Sequence, residues 1–227
     1  MIHRSRHEIN ALIAHHAFLP LFNPEDVEVC KRVVKAAYDG GVRLFECTNR
    51  SANALSIFED LVHYISDSMP DLVIGAGTIM DEASAHAFYN AGAQFIVSPV
   101  MRPAVADYCQ KNNIFWCPGS STLTEIINAH DLGADLVKIF PANFLGGSGF
   151  VEAVRGPCPE IRVMPTGGVD GSEQSIRAWF EAGVTCIGMG SRLFTREILA
   201  TKNYKLITDK SREIVHIIHT IKSRQAQ

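Results

Sequence analysis

Three residue types at three places in this chain could do chemistry together: Lys138, Glu46 and Arg50. Lys138 lies in the run DLVKIFPAN, where Asp135 and Asn143 bracket otherwise apolar or small residues. A run this greasy belongs inside a protein, where an ammonium group is expensive to keep. Two readings explain it. The lysine stem packs in the core while its head pairs with an acid, or the amine is a nucleophile. Free lysine is almost wholly protonated near neutral pH, and burial or nearby positive charge shifts such an amine towards its neutral form. A neutral amine in a dry pocket attacks a ketone to form a Schiff base, whose protonated imine is an electron sink for carbon–carbon cleavage.

Glu46 lies in a second apolar run, LFECT. It reads as an ion-pair partner for a buried base, Lys138 included, or as a general acid/base. The two overlap, because a proton shuttle must stand close to the imine. Arg50 is either a solvated residue at a helix start or a fork for a substrate carboxylate. The segments PTGGV (165–169) and GMGS (188–191) supply Gly167, Gly168, Gly190 and Ser191. Glycines there let backbone N–H groups approach an oxyanion, with a helix N-terminus expected to follow each. They equally suit tight turns between strands and helices.

The elements that must position these groups follow a recurring pattern. A helix-like segment ends in Gly and a β-rich run follows, at Gly41, Gly92, Gly133 and Gly183. Such glycines cap the helix and turn the chain back. Val29, Val33, Val34 and Ala37 have helical spacing, as do Ile176, Trp179 and Phe180. Eight β-like runs are expected near 17–22, 43–48, 72–76, 94–98, 114–117, 136–140, 162–166 and 185–189. They recur at roughly 24 residues, one strand plus one helix, and are mostly continuous and apolar, as parallel strands buried on both faces are. The expected fold is α/β: a (β/α)8 barrel of the TIM type forming one domain over 1–227, with an open doubly wound sheet as the alternative. An extra N-terminal helix is expected over 4–16. A closing amphipathic helix over 203–223 would carry Leu206, Ile207, Ile214, Ile217, Ile218 and Ile221.

In a barrel of this kind the active site lies at the C-terminal ends of the strands. Thr48, Thr78, Ser98, Pro99, the run CPGSST, Phe140 and Thr166 fall at those ends beside the residues above.

Composition narrows the field. The chain has 227 residues, net charge -3, 47% hydrophobic and 20% charged residues. Nothing in that balance favours nucleic acid or an anionic membrane as partner. No apolar run approaches the roughly 18 residues a membrane span requires. The first residues show no signal peptide, and six scattered cysteines without C-x-x-C read as reduced thiols in a cytoplasmic protein. His15, His16, His63, His86 and His130 show no H-x-H or H-E-x-x-H pattern, so no metal site is expected. Neither G-x-S-x-G nor a phosphate-loop motif is present.

Taken in order, GGVRLFECTNR, VIGAGT, GAQFIVSP, CPGSST, VKIFPAN, PTGGV and CIGMGS resemble the 2-keto-3-deoxy-6-phosphogluconate/4-hydroxy-2-oxoglutarate (KDPG/KHG) aldolases. The resemblance implies a homotrimeric (β/α)8 barrel and class I, metal-independent aldol chemistry on a small keto-acid substrate, with no cofactor. It implies Lys138 as the imine-forming lysine and Glu46 as acid/base. Arg50, Thr78 and Thr166 would bind the pyruvyl end, Pro99 and Phe140 would be apolar walls, and Gly167, Gly168, Gly190 and Ser191 would hold phosphate. Three departures bear on substrate preference: Val100 after Pro99, Ser120 at a usually apolar position, and PLFNPED where some members carry an arginine. Two rivals are a different phosphate-binding barrel isomerase or synthase and a non-catalytic sugar-acid binding protein.

Overall fold

The computed structural model of the chain describes residues 3–23 and 25–225. Strands β1 (Phe18–Phe22), β2 (Leu44–Thr48), β3 (Val73–Gly77), β4 (Phe95–Val97), β5 (Phe115–Cys117), β6 (Gly119–Ser120), β7 (Val137–Ile139), β8 (Val163–Pro165) and β9 (Ile187–Met189) alternate with helices. All strand pairing is parallel, as helical crossovers require. One ladder runs β5-β4-β3-β2-β1-β9 and the other β6-β7-β8. The sheet curls. Asp135 N donates to Trp116 O (3.0 Å) and Lys138 N to Pro118 O (2.8 Å), and Thr166 bridges Gly188 in parallel.

The strand runs fall where apolar continuity placed them, with one addition. After the fifth, Pro118, which has no N–H to give to a ladder, separates β5 from the short β6, which lies outside the expected runs. Gly41, Gly92, Gly133 and Gly183 all have positive φ, between 81° and 107°, which is the backbone that turns a helix into the next strand. The helix expected over 4–16 is α1 (Arg6–His16), capped by Ser5 with Glu8 in a reciprocal capping box. The closing helix is α10 (Tyr204–Gln225). Its Ile207, Ile214, Ile218 and Ile221 are buried, whereas Leu206 is 36% exposed and stands off the stripe. Five residues on from Leu206, Ser211 faces Gly40, where a Cβ would come within 2.5 Å of the Ser211 Cβ.

Period two explains the sheet's two surfaces. Phe18, Phe45, Ile74, Ile96, Trp116, Val137, Ile139, Val163 and Ile187 point outward into the layer shared with the helices. Leu19, Leu44, Val73, Phe95, Phe115, Leu136, Met164 and Cys186 point inward, where Ile9 and Ile13 of α1 join them. α1 therefore closes the end of the sheet at which the strands begin. Asp135 pins it there, accepting from Arg6 Nε (2.7 Å), Asn10 Nδ2 (2.7 Å) and Trp116 N (3.0 Å).

Candidate active site

Lys138 is the middle residue of β7, between outward-facing Val137 and Ile139, so alternation sends its side chain inward. It is 3% exposed. On β2 the same rule turns Glu46 inward between outward Phe45 and Cys47. Glu46 is wholly buried, and its Oε1 lies 3.8 Å from Lys138 Nζ. That separation is an ion-pair distance longer than a direct hydrogen bond. Neither carboxylate oxygen has a hydrogen-bond partner among the described residues. The Phe140 ring centroid is 5.3 Å from Nζ and forms an apolar wall against the amine.

Two glycines make room. A Cβ on Gly77 would stand 1.9 Å from Glu46 Oε1, and one on Gly188 would stand 2.3 Å from Thr166 Oγ1. Thr166 Oγ1 is buried without a hydrogen-bond partner among the described residues. Arg50 Nε donates to Thr78 Oγ1 at 3.0 Å, and Thr78 is held at φ 59°. Thr48 Oγ1 donates to Asn23 Oδ1 at 3.1 Å. Burial pushes the inward Cys117 thiol well above its usual range, which keeps it protonated beside Lys138.

A cavity of about 190 Å³ opens above Lys138 at the rim where the strands end. Arg50, Phe140, Thr166, Gly167, Gly168, Gly190 and Ser191 line it, as their motifs suggested. Glu46 lies beneath it, within reach of the amine. Thr78 reaches it through Arg50. Pro99 is not among its lining residues; its carbonyl lies 2.0 Å from where a Cβ on Gly119 would stand, and Gly119 pairs with Lys138. Nor does a helix start directly at either glycine pair. The residues after Gly190 form a turn in which Leu193 N and Phe194 N donate to Gly190 O (both 2.9 Å), and α8 (Glu173–Glu181) begins only after Ser172. The cradles therefore rest on loop amides. Those of Gly167, Gly168, Ser191 and Arg192 donate to no backbone carbonyl among the described residues.

A larger cavity of about 560 Å³ adjoins the first, sharing Leu21, Arg50, Gly190 and Ser191. It holds neither Lys138 nor Glu46, so volume alone points one step aside from the buried Lys138–Glu46 pair.

Residues 9–210 match the family described as KDPG and KHG aldolase. The chain belongs to this aldolase family. It is 32% identical over 198 residues to the KHG/KDPG aldolase of Escherichia coli (strain K12), covering 87% of this chain and 90% of that one. It is 30% identical over 200 residues to the 2-dehydro-3-deoxy-phosphogluconate aldolase of Treponema pallidum (strain Nichols), covering 88% and 92%. In three dimensions it is similar to a crystal structure of KDPG aldolase from Legionella pneumophila, with TM-score 0.82, 28% identity and coverage of 90% and 97%. That enzyme was captured with pyruvate as a covalent carbinolamine intermediate.

In this aldolase, motif reading misses Leu21, Val169, Gly188, Met189 and Arg192 as cavity walls and Gly77 as the space for Glu46. Leu21 and Met189 look like ordinary strand residues. Gly77 and Gly188 sit inside strand runs, where a glycine marks a close approach, so a signal for both exists in the sequence.

Proposed function

We propose that this chain is a class I aldolase that cleaves a 2-keto-3-deoxy-6-phospho sugar acid, or 4-hydroxy-2-oxoglutarate, to pyruvate and an aldehyde. The observation that carries the reading is the buried Lys138–Glu46 pair, 3.8 Å apart at the floor of a polar cavity. Lys138 Nζ adds to the C2 keto carbon, and loss of water from the carbinolamine leaves a protonated imine. Glu46, through a water, takes the C4 hydroxyl proton as the C3–C4 bond breaks. The electron pair of that bond passes into the imine, giving an enamine, and the aldehyde departs. Protonation at C3 and hydrolysis of the imine release pyruvate and restore the amine. The iminium is itself the electron sink, so the scheme needs no Lewis acid. Arg50 and Thr166 meet the pyruvyl carboxylate, Thr78 steadies Arg50, and Phe140 walls the imine. Pro99, against Gly119 on the strand next to Lys138, is the second apolar wall. Gly167, Gly168, Gly190 and Ser191 take the phosphate.

Borohydride reduction with pyruvate tests this. Peptide mass mapping should find a reduced pyruvate adduct on Lys138; an unmodified Lys138 sinks the proposal.

The same reading takes 1–227 as one domain, a complete eight-stranded barrel. The apolar layer running from Ala17 to Ile221 and the Thr166–Gly188 bridge between β8 and β9 support it. It takes the assembly as a homotrimer. Met80, Val100 and Leu123, all exposed apolar side chains, follow β3, β4 and β6 at one rim and suit a subunit contact. Sedimentation as a monomer at micromolar concentration would remove that part. The six cysteines are unpaired and buried, which fits the reducing cytoplasm. Among the described residues no helix is long and apolar enough to cross a membrane.

A further inference from the structure

We propose that Arg192 is the side chain that makes this aldolase prefer a substrate with a phosphate at the end remote from its keto group. The inference rests on the aldolase reading above and names which residue reads the distal end. A phosphorylated 2-keto-3-deoxy acid is anionic at both ends, with the reacting carbon near one of them. Three cationic side chains line the cavity: Lys138, Arg50 and Arg192. Among the described residues no carboxylate is part of its lining; Glu46 lies beneath it, beside Lys138. Lys138 is committed to the keto carbon. Arg50 is tethered to Thr78 on the β2–β3 side of the rim, where the carboxylate end lies.

Arg192 follows β9, directly after Gly190 and Ser191, and faces the same cavity as Gly167 and Gly168. The glycine-rich loops offer amide donors without net charge. Arg192 adds the missing charge and a planar fork that fits two phosphate oxygens at once. Its guanidinium is free to do so, because among the described residues it makes no hydrogen bond or close ion pair. One acid that feels it is Asp170. That carboxyl is held below the usual carboxylate range mainly by its hydrogen bonds with Ser172, whose N–H donates at 2.7 Å, and only weakly by Arg192. A cation left exposed and unpaired beside vacant amides defines a dianion's seat more narrowly than the amides do alone.

The test compares 2-keto-3-deoxy-6-phosphogluconate with its dephosphorylated counterpart, 2-keto-3-deoxygluconate, on wild type, Arg192→Met and Arg192→Lys. Losing a charge-assisted fork should lower kcat/KM for the phosphorylated substrate by roughly 10- to 100-fold, chiefly through KM. The dephosphorylated substrate should change by no more than about 2-fold in Arg192→Met. Arg192→Lys should recover part of the loss. Reduced pyruvate adduct on Lys138 should form equally in all three proteins. An unchanged ratio between the two substrates in Arg192→Met overturns the proposal, as does a wild type indifferent to the phosphate. If wild type forms no pyruvate adduct, the aldolase reading has failed separately. Titration with inorganic phosphate followed by phosphorus NMR then decides Arg192: weaker binding in Arg192→Met upholds its role, and equal binding ends it.

Discussion

The two ends of the curled sheet are built on opposite principles. Where the strands begin, α1 lays Ile9 and Ile13 on Leu19, Leu44, Val73, Phe95, Phe115, Leu136 and Met164, all buried. Polar groups there are spoken for: Asp135 takes three donors, and Arg162 Nη1 donates to Asn10 Oδ1, with Arg162 Nη2 the one atom left over. Where the strands end, both oxygens of Glu46, Ser120 Oγ and Thr166 Oγ1 are buried without partners. A buried polar atom without a partner destabilises a fold by about 1–3 kcal/mol. One end is therefore finished by the protein itself. At the other, buried polar atoms have no partner among the described residues. The contrast separates residues kept for stability from residues kept for chemistry.

That separation can be broken at several points. The largest effect belongs to Lys138→Arg, which keeps the charge but cannot form an imine. Turnover should fall on the order of 10⁴-fold or more, and the pyruvate adduct should vanish, while circular dichroism stays that of the folded protein. Next is Glu46→Gln, expected to lower kcat by about 10²- to 10⁴-fold while pyruvate still labels Lys138. If Glu46→Gln turned over normally, the carboxylate would be only the lysine's ion-pair partner.

At the plugged end the signature should reverse. Ile13→Ala should cost about 2–5 kcal/mol of stability, seen in urea denaturation, with kcat/KM unchanged. A kinetic defect there would blur the two ends. Gly77→Ala tests how closely the open end is fitted. Its Cβ cannot share space with Glu46 Oε1, so displacing the carboxylate by about an ångström should cost roughly 10²-fold in kcat.

The smallest effect is a pH slope at the plugged end. Burial, before the charges of His15 and Arg43, lowers the His16 pKa from 6.5 to about 4. The unfolded chain therefore binds this proton more readily than the folded one between those values. Stability is at its full value above pH 6.5 and is lost as pH falls towards 4. His16→Gln should flatten that slope in melting temperatures measured across this window without touching turnover at neutral pH.

Much of this architecture is legible from neighbouring residues. The helix-Gly-strand joints stand at Gly41, Gly92, Gly133 and Gly183 because positive φ is a local demand that glycine meets. Lys138 and Glu46 stand out as charges in apolar runs. Local logic does not reach the setting of Pro99: its carbonyl fills the space that Gly119 leaves on the strand beside Lys138, a contact between two strand ends that no single run shows. The break at Pro118 and the turn after Gly190 depend on how each segment meets its neighbours in the sheet.

By itself, then, the sequence determined the order of strands and helices and singled out Lys138 and Glu46 as charges in apolar runs. Those follow from periods of two and 3.6 and from backbone preferences within a few residues. Only the tertiary structure decided that β2 and β7 meet so that Glu46 stops 3.8 Å from Lys138, that Gly77 is the space making this possible, and that Arg192 joins the glycine rim. These depend on stagger between strands distant in sequence. That stagger is set by packing summed over the whole interior, which no short window contains.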